Sequence, residues 1–257
     1  MRKKIWLLVA LIGLIALLSG CTQINEPITS ESEGIWNSYF VYPLSEAIKY
    51  IANIFNENYG AAIIVITAII RLIVLPLNIK QLKSSQAMQE VQPKLQEIQK
   101  KYSSKDKNTQ QKLQEETMKL FQEHNVNPLA GCLPIIVQMP VLIALYHAIR
   151  RTPEIQEGSF LWFQLGSPDP LHILPFIAGA AMFLQQRLMM SGNQGAAQNP
   201  QMKVMMYIMP IMIMVIAFIF PSALALYLVV SNVFMVAQTL FIRKPMMKKQ
   251  ENGGSKK

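Results

Sequence analysis

Residues 204–242 read VMMYIMPIMIMVIAFIFPSALALYLVVSNVFMVAQTLFI, 39 consecutive positions without a charge. As one helix, at 1.5 Å per residue, this stretch would be about 58 Å long. That is roughly twice the hydrocarbon thickness of a bilayer, so the chain must fold back on itself. Pro221-Ser222 is the natural corner, because proline disfavours helix in the residue before it. The stretch therefore reads as two membrane spans, 204–220 and 221–242, joined by a tight turn. Working outward, three further apolar segments have spanning length: 61–79, 129–149 and 170–190. The fold class that follows is an all-α polytopic membrane protein with five transmembrane helices. Prolines 76, 140, 175 and 210 fall inside these segments, where neighbouring helices can satisfy the freed backbone groups. Composition agrees: of 257 residues 51% are hydrophobic and 15% charged, against about 25% charged in a soluble domain.

The amino terminus has the form of a processing signal. Arg2, Lys3 and Lys4 precede an apolar run from Ile5 to Leu18, short for a span and typical of a signal peptide. The run ends in Leu18-Ser19-Gly20-Cys21, similar to a bacterial lipobox. Residues 1–20 are expected to be removed and Cys21 to carry lipid on the outer face. A single lipid gives marginal anchoring, so the spans do most of the holding. With residue 21 outside and five spans, segments 80–128, 191–203 and 243–257, together with Arg187 at the inner end of the third span, lie inside. They carry 17 Lys/Arg, against 3 in the outer segments 21–60 and 150–169. The positive-inside rule then puts the carboxyl terminus in the cytosol of a bacterial cell.

Outside the bilayer, Trp36, Phe40, Leu44, Ile48, Ile51 and Phe55 recur at helical spacing. This predicts an amphipathic outer-face helix, lying in the interface or packed on the spans. In segment 80–128, Met88, Val91, Leu95, Ile98 and Tyr102 form a heptad stripe. A polar turn at 103–108 and a second helix at 110–124, with Leu113, Leu120 and Phe121 apolar, complete a cytosolic helical hairpin. Methionines crowd 182–214, suited either to a promiscuous apolar surface or to packing. The basic tail, 243–257, fits anionic lipid or RNA phosphates.

One charge stands inside a span. Arg71 is ten residues from one end of 61–79 and eight from the other, about 12–15 Å from either interface. A central Arg costs at least about 2.5–3.5 kcal/mol on insertion scales. All fifteen acidic residues fall outside the five spans, so Arg71 needs amides, hydroxyls and water. Thr67 lies one turn away on the same face. Gln138 interrupts the second span, Gln185 and Gln186 lie near the inner end of the third, and Tyr227, Ser231 and Gln238 share one face of the fifth, with Asn232 directed elsewhere. Convergence on one cation implies a hydrophilic groove; the alternative is a dry Arg–Gln knot that glues helices together.

Other chemistry is missing from the sequence. His124, His147 and His172 share no metal spacing with Cys or carboxylates. No nucleotide loop, nucleophile elbow or HExxH is present. No enzyme activity, cofactor or metal is expected, and no DNA partner. Of the groups a proton relay uses, His147 lies near the outer end of the second span and reads as interfacial.

Four segments now carry a resemblance: Arg71 to Gln81 (RLIVLPLNIKQ), Asn127 to Pro134 (NPLAGCLP), Pro134 to Pro140 (PIIVQMP), and Leu226-Tyr227 through Ser231-Asn232. Across 36–243 the chain resembles the YidC/Oxa/Alb membrane protein insertases. The lipobox and the absence of a large outer domain before the first span resemble the Gram-positive, Bacillus-type branch. The resemblance implies five spans around a groove closed outward and open to cytosol and lipid, with Arg71 and Gln138 matching the family's groove arginine and glutamine. It implies nascent membrane proteins as clients, which leave along the third and fifth spans, the ribosome as a partner through the basic tail and cytosolic loops, and a Sec translocon as a further one. Many relatives have an aromatic where this chain has Leu228, and no role is carried over to it. Cys132, at the cytosolic end of a span, is expected to be unpaired. A passive channel or transporter, and a scaffold for other membrane complexes, are the competing classes.

Overall fold

A computed structural model describes residues 26–104, 106–124, 126–127, 133–190 and 200–246. The signal peptide, Cys21, Cys132, the loop 191–199 and the tail from 247 lie outside the described residues. A π-helical turn, Asn37–Val41, leads into α1 (Tyr42–Ile54). Then follow α2 (Tyr59–Lys101), α3 (Lys107–Glu123), α4 (Leu133–Arg151) and the short α5 (Pro153–Glu157). Strands β1 (Ser159–Phe160) and β2 (Phe163–Gln164) form a two-residue antiparallel ladder, with Phe160 opposite Phe163. The remaining helices are α6 (Ile173–Met190), α7 (Pro200–Ile219) and α8 (Ser222–Gln238), the last extended by a π-helical turn, Thr239–Arg243.

The chain is thus an all-α polytopic membrane protein, the small ladder aside. By length and composition, Tyr59–Met88, Ile173–Met190 and Ser222–Met246 can each cross a bilayer, and Met206–Ile219 is a shorter apolar helix. Helix α6 packs against α7 and α8, α8 against α2, and α1 against α2 and α4. Large apolar side chains point outward from the bundle, among them Ile73, Phe176, Ile211 and Phe241. On a soluble protein such a surface would drive association; here it is the face that lipid solvates.

Three features differ from the sequence expectations. Helix α2 does not stop at residue 79. It continues for 43 residues through Pro76 and Pro93, so the first span and the first arm of the helical hairpin are one rod. Composition changes at Lys80, but a helix satisfies its own backbone and need not break where its surroundings change. The outer-segment stripe also slips. Trp36, Ile48 and Ile51 are buried, yet Phe40 and Phe55 are exposed and Val41 takes the inward position. The wide turn at 37–41 adds a residue to the repeat and rotates everything after it. Phe40 instead stacks on Trp36, ring centroids 4.8 Å apart. Finally, segment 150–169 is a folded cap containing α5 and the strand ladder.

The hairpin itself closes on Val91, Leu120 and Phe121, with Met88, Leu95 and Ile98 packed around them. Val126, reached by a backbone bond to Phe121 of 2.8 Å, completes this small core. Lys94 Nζ meets His124 Nε2 at 3.0 Å across the two arms. Asp106 caps α3, accepting from Thr109 N at 2.9 Å and from Ser104 Oγ at 2.7 Å. These bonds, Thr109's first, hold its carboxyl well below the usual carboxylate range.

Gly60, in the first turn of α2, has no room for a side chain: an added Cβ would fall within the Phe160 ring. Gly60→Ala should lift the strand ladder off α2 and cost about 1–3 kcal/mol by overpacking. The loss should show in thermal unfolding of detergent-solubilised protein and be largely relieved by Phe160→Ala. For the hairpin, the Asp106 cap should contribute fully above about pH 4, the ordinary aspartate value. It should be lost only as the pH falls through the depressed folded value. Asp106→Ala should speed amide exchange at 107–110 at neutral pH and leave protection around Val91 and Phe121 intact.

Candidate functional site: a cation between a packed and an open half

The bundle is packed at one end and open at the other. At the end bearing residues 26–58 and the strand ladder, α2 buries Ala62, Ile63 and Ile66. There α4 buries Ala144, Leu145, Ala148 and Ile149, and α8 buries every residue from Ser222 to Leu228. Toward the hairpin end the packing stops along α2 and α4, while α6 and the extended α8 still bury Gln185, Gln238, Thr239 and Arg243. No residue of α2 from Ala68 to Lys80 is buried, and none of α4 from Ile136 to Ile143. Arg71 sits just past the transition, half-buried.

The packed end is fastened by polar bonds. Arg151, at the end of α4, is 2% exposed. Its Nε donates to the Glu26 carbonyl at 2.8 Å and its Nη1 to Asn37 Oδ1 at 2.7 Å. The Thr152 and Ser45 hydroxyls meet at 2.7 Å. Buried Asp169 accepts from Leu171 N, Leu174 N and Trp162 Nε1, starting α6. Ser222 N donates to the Ser167 carbonyl at 2.7 Å, and Ala223 N to that of Leu165 at 3.0 Å. The cap over the bundle is thus tied to the ends of α4, α6 and α8.

Arg71 makes no hydrogen bond or ion pair with any described residue. Tyr227 of α8, 1% exposed, is near enough to interact with it electrostatically. The Tyr227 hydroxyl accepts from Gln138 Nε2 of α4. Three helices therefore contribute to one polar locus, through Arg71, Gln138 and Tyr227. Thr67 is fully buried one turn toward the packed end, and its hydroxyl donates to the Ile63 carbonyl at 2.5 Å. Ser231 is buried with its Oγ unpartnered, and Gln238 with its Oε1 unpartnered. Asn232 is buried too, because its Nδ2 folds back on the Leu228 carbonyl at 2.7 Å. Gln185 is buried and Gln186 half-buried near the end of α6. Among the described residues no hydrogen bond joins Gln185, Gln186, Ser231 or Gln238 to the Arg71 locus.

Sequence reasoning missed the roles of Arg151 and Arg243. Both count as terminal positive charges at span ends, where side chains usually reach for water or headgroups. Nothing in the residue order distinguishes them from Arg150 and Lys244; only burial does.

The chain is similar to known proteins over most of its length. A family profile described as 60Kd inner membrane protein matches residues 50–250. Over 254 residues the chain is 66% identical to a membrane protein insertase YidC of Oceanobacillus iheyensis, covering 97% of this chain and 100% of that one. It is 58% identical over 261 residues to the membrane protein insertase MisCA of Bacillus subtilis, covering 100% and 99%. Among solved structures it resembles a chain described as an active YidC insertase with the first transmembrane domain resolved. The TM-score is 0.63 at 28% identity, over 81% of this chain and 47% of that one; the present chain thus spans about half of that structure.

Tyr227→Phe should strand the Gln138 amide in a partly desolvated site and cost about 1–3 kcal/mol. Pairing it with Gln138→Leu should recover most of the loss, as a double-mutant cycle of thermal unfolding would measure.

Proposed function

Because the chain belongs to the 60Kd inner membrane protein family, within the Gram-positive branch of the YidC-type membrane protein insertases, we propose how its helices perform insertion. The packed end faces outward and the open half faces the cytosol. The 17-to-3 bias of Lys/Arg toward the hairpin side supports this orientation. Five spans cross the cell membrane, Cys21 carries lipid on the outer face, and the clients are nascent membrane proteins. The helical hairpin and basic tail meet the ribosome, with a Sec translocon as an additional partner. No catalytic chemistry is assigned to the chain.

Moving a client's polar outer tail across hydrocarbon is the costly step. Its apolar segment gains free energy once in lipid. A half-channel wet up to Arg71 shortens the dry path to the thickness of the packed end. Arg71 attracts acidic and polar tail groups because no described residue neutralises it. Such a charged hydrogen bond contributes about 1.5–3 kcal/mol, enough to draw a tail in and too little to trap it. The membrane potential, inside negative, then drives acidic groups outward with about 2.3 kcal/mol per charge per 100 mV. The apolar segment leaves sideways along α6 and α8. Gln138 and Gln186, half-buried, line the route as uncharged hydrogen-bonding groups, while Thr67, Gln185, Tyr227, Ser231 and Gln238 are buried and meet a client only as the helices part. The single observation that carries this reading is the unneutralised Arg71 at the boundary between packed and open halves.

Arg71→Ala should slow translocation of clients with charged outer tails roughly tenfold or more. Arg71→Lys should keep much of the activity, since the positive charge persists. Complementation of an insertase-depleted strain checks both, and full rescue by Arg71→Ala would falsify the mechanism. Reconstituted vesicles separate the competing class: ion or solute flux without client insertion would favour a passive channel.

A further inference from the structure

Arg243 ends the π-helical turn that extends α8, at the edge of the spans where basic side chains ordinarily reach outward to lipid phosphates. It does the opposite. It is 2% exposed, and no carboxylate among the described residues pairs with it. Its Nη1 donates to the Met189 carbonyl, lies 3.5 Å from that of Leu188, and is 3.4 Å from Met189 Sδ. These carbonyls belong to the last turn of α6, where the helix dipole is negative. Thr239, four residues earlier, donates its hydroxyl to the Met235 carbonyl at 2.8 Å, and the same oxygen lies 3.8 Å from Met189 Sδ. Arg243 thus reaches from α8 to place a charged donor on the end of α6.

The fit is incomplete. Arg243 Nη2 is buried without a partner, and so is Gln238 Oε1 one residue before Thr239. Unpaired buried polar atoms lower the cost of separating the surfaces that bury them, because water satisfies them on opening. A guanidinium with unused donors, placed beside headgroup level, gains hydration or a phosphate when released. The wide turn matters here: a regular helix would rotate Arg243 out of line with the end of α6.

We propose that Arg243 is a positioning residue that latches the hairpin-side ends of α6 and α8 together, and that a client must displace it before its apolar segment enters between them. This rests on the reading above that clients leave along α6 and α8. Closed, the latch keeps the seam dry against lipid and cytosol. Open, it frees the last turn of α6 and exposes the polar groups of Gln238 and Thr239.

The test is amide hydrogen exchange on the full chain in nanodiscs, with and without a stalled nascent chain bearing one apolar segment. Without client, Arg243→Gln should raise exchange in peptides covering 184–190 and 239–243 by roughly tenfold or more, the equivalent of one charged hydrogen bond. Peptides covering 173–180 and 222–228, at the packed end, should not change. Arg243→Lys should fall between, since a point charge can reach one carbonyl but lacks the planar fork; it also keeps the comparison open if Arg243→Gln folds poorly. In wild type the client should raise exchange at 184–190, and in Arg243→Gln it should add little more. A mere brace would give the first difference without the client response. Identical exchange in wild type and Arg243→Gln overturns the latch. So does a client that crosslinks to the groove yet leaves 184–190 unchanged in wild type. Loss of groove crosslinking in Arg71→Ala reports on the groove separately, so the two readings fail independently.

Discussion

A guanidinium cannot lose its proton at any physiological pH, so each arginine this bundle withdraws from bulk water must be given hydrogen-bond acceptors or left exposed to an aqueous path. Arg151 is satisfied by the Glu26 carbonyl and the Asn37 amide. Arg243 is partly satisfied by the carbonyls at the end of α6. Arg71 has no hydrogen-bonding or ion-pairing partner among the described residues. Arg151 fastens the cap, Arg243 holds a joint between α6 and α8, and Arg71 stands at the edge of the packed end.

The packing gradient along the bundle has the same logic. Small side chains let helices approach closely without a hydrophobic driving force between them. Ala62, Ala144, Ala148, Ala223 and Ala225 all sit in the packed end, and Gly179 lies against Met214 between α6 and α7. From Ala68 to Lys80 no residue of α2 is buried.

Much of the site was legible in the residue order. A charge ten residues inside an apolar span, with no acidic residue in any span, singles out Arg71 by its energetic cost alone. The wheel position of Tyr227, Ser231 and Gln238 groups three residues that are all buried in α8. The hairpin stripe of Met88, Val91, Leu95 and Ile98 was equally clear, because a heptad repeat is a local property of one helix. Less legible were features that depend on one added residue or one partner's position. The wide turn at Asn37–Val41 exchanges Phe40 for Val41 without any signal in composition. The unbroken run of α2 past Lys80 depends on a helix being indifferent to whether lipid or water surrounds it. Asn232 appeared misdirected on the wheel, but its side chain bonds its own helix and so can be buried at low cost.

By itself the sequence determined the class of solvent for each segment and the bias of charge between the two sides. Both are sums over residue transfer free energies, to which order in space contributes little. It also determined that Arg71 would be the costly residue, for the same reason. Only the tertiary structure decided which arginines are bonded, which half of the bundle packs, and which helix caps another. Those outcomes turn on ångström-scale distances between atoms far apart in the chain, such as Arg243 and Met189, and no local pattern encodes a distance between separate helices.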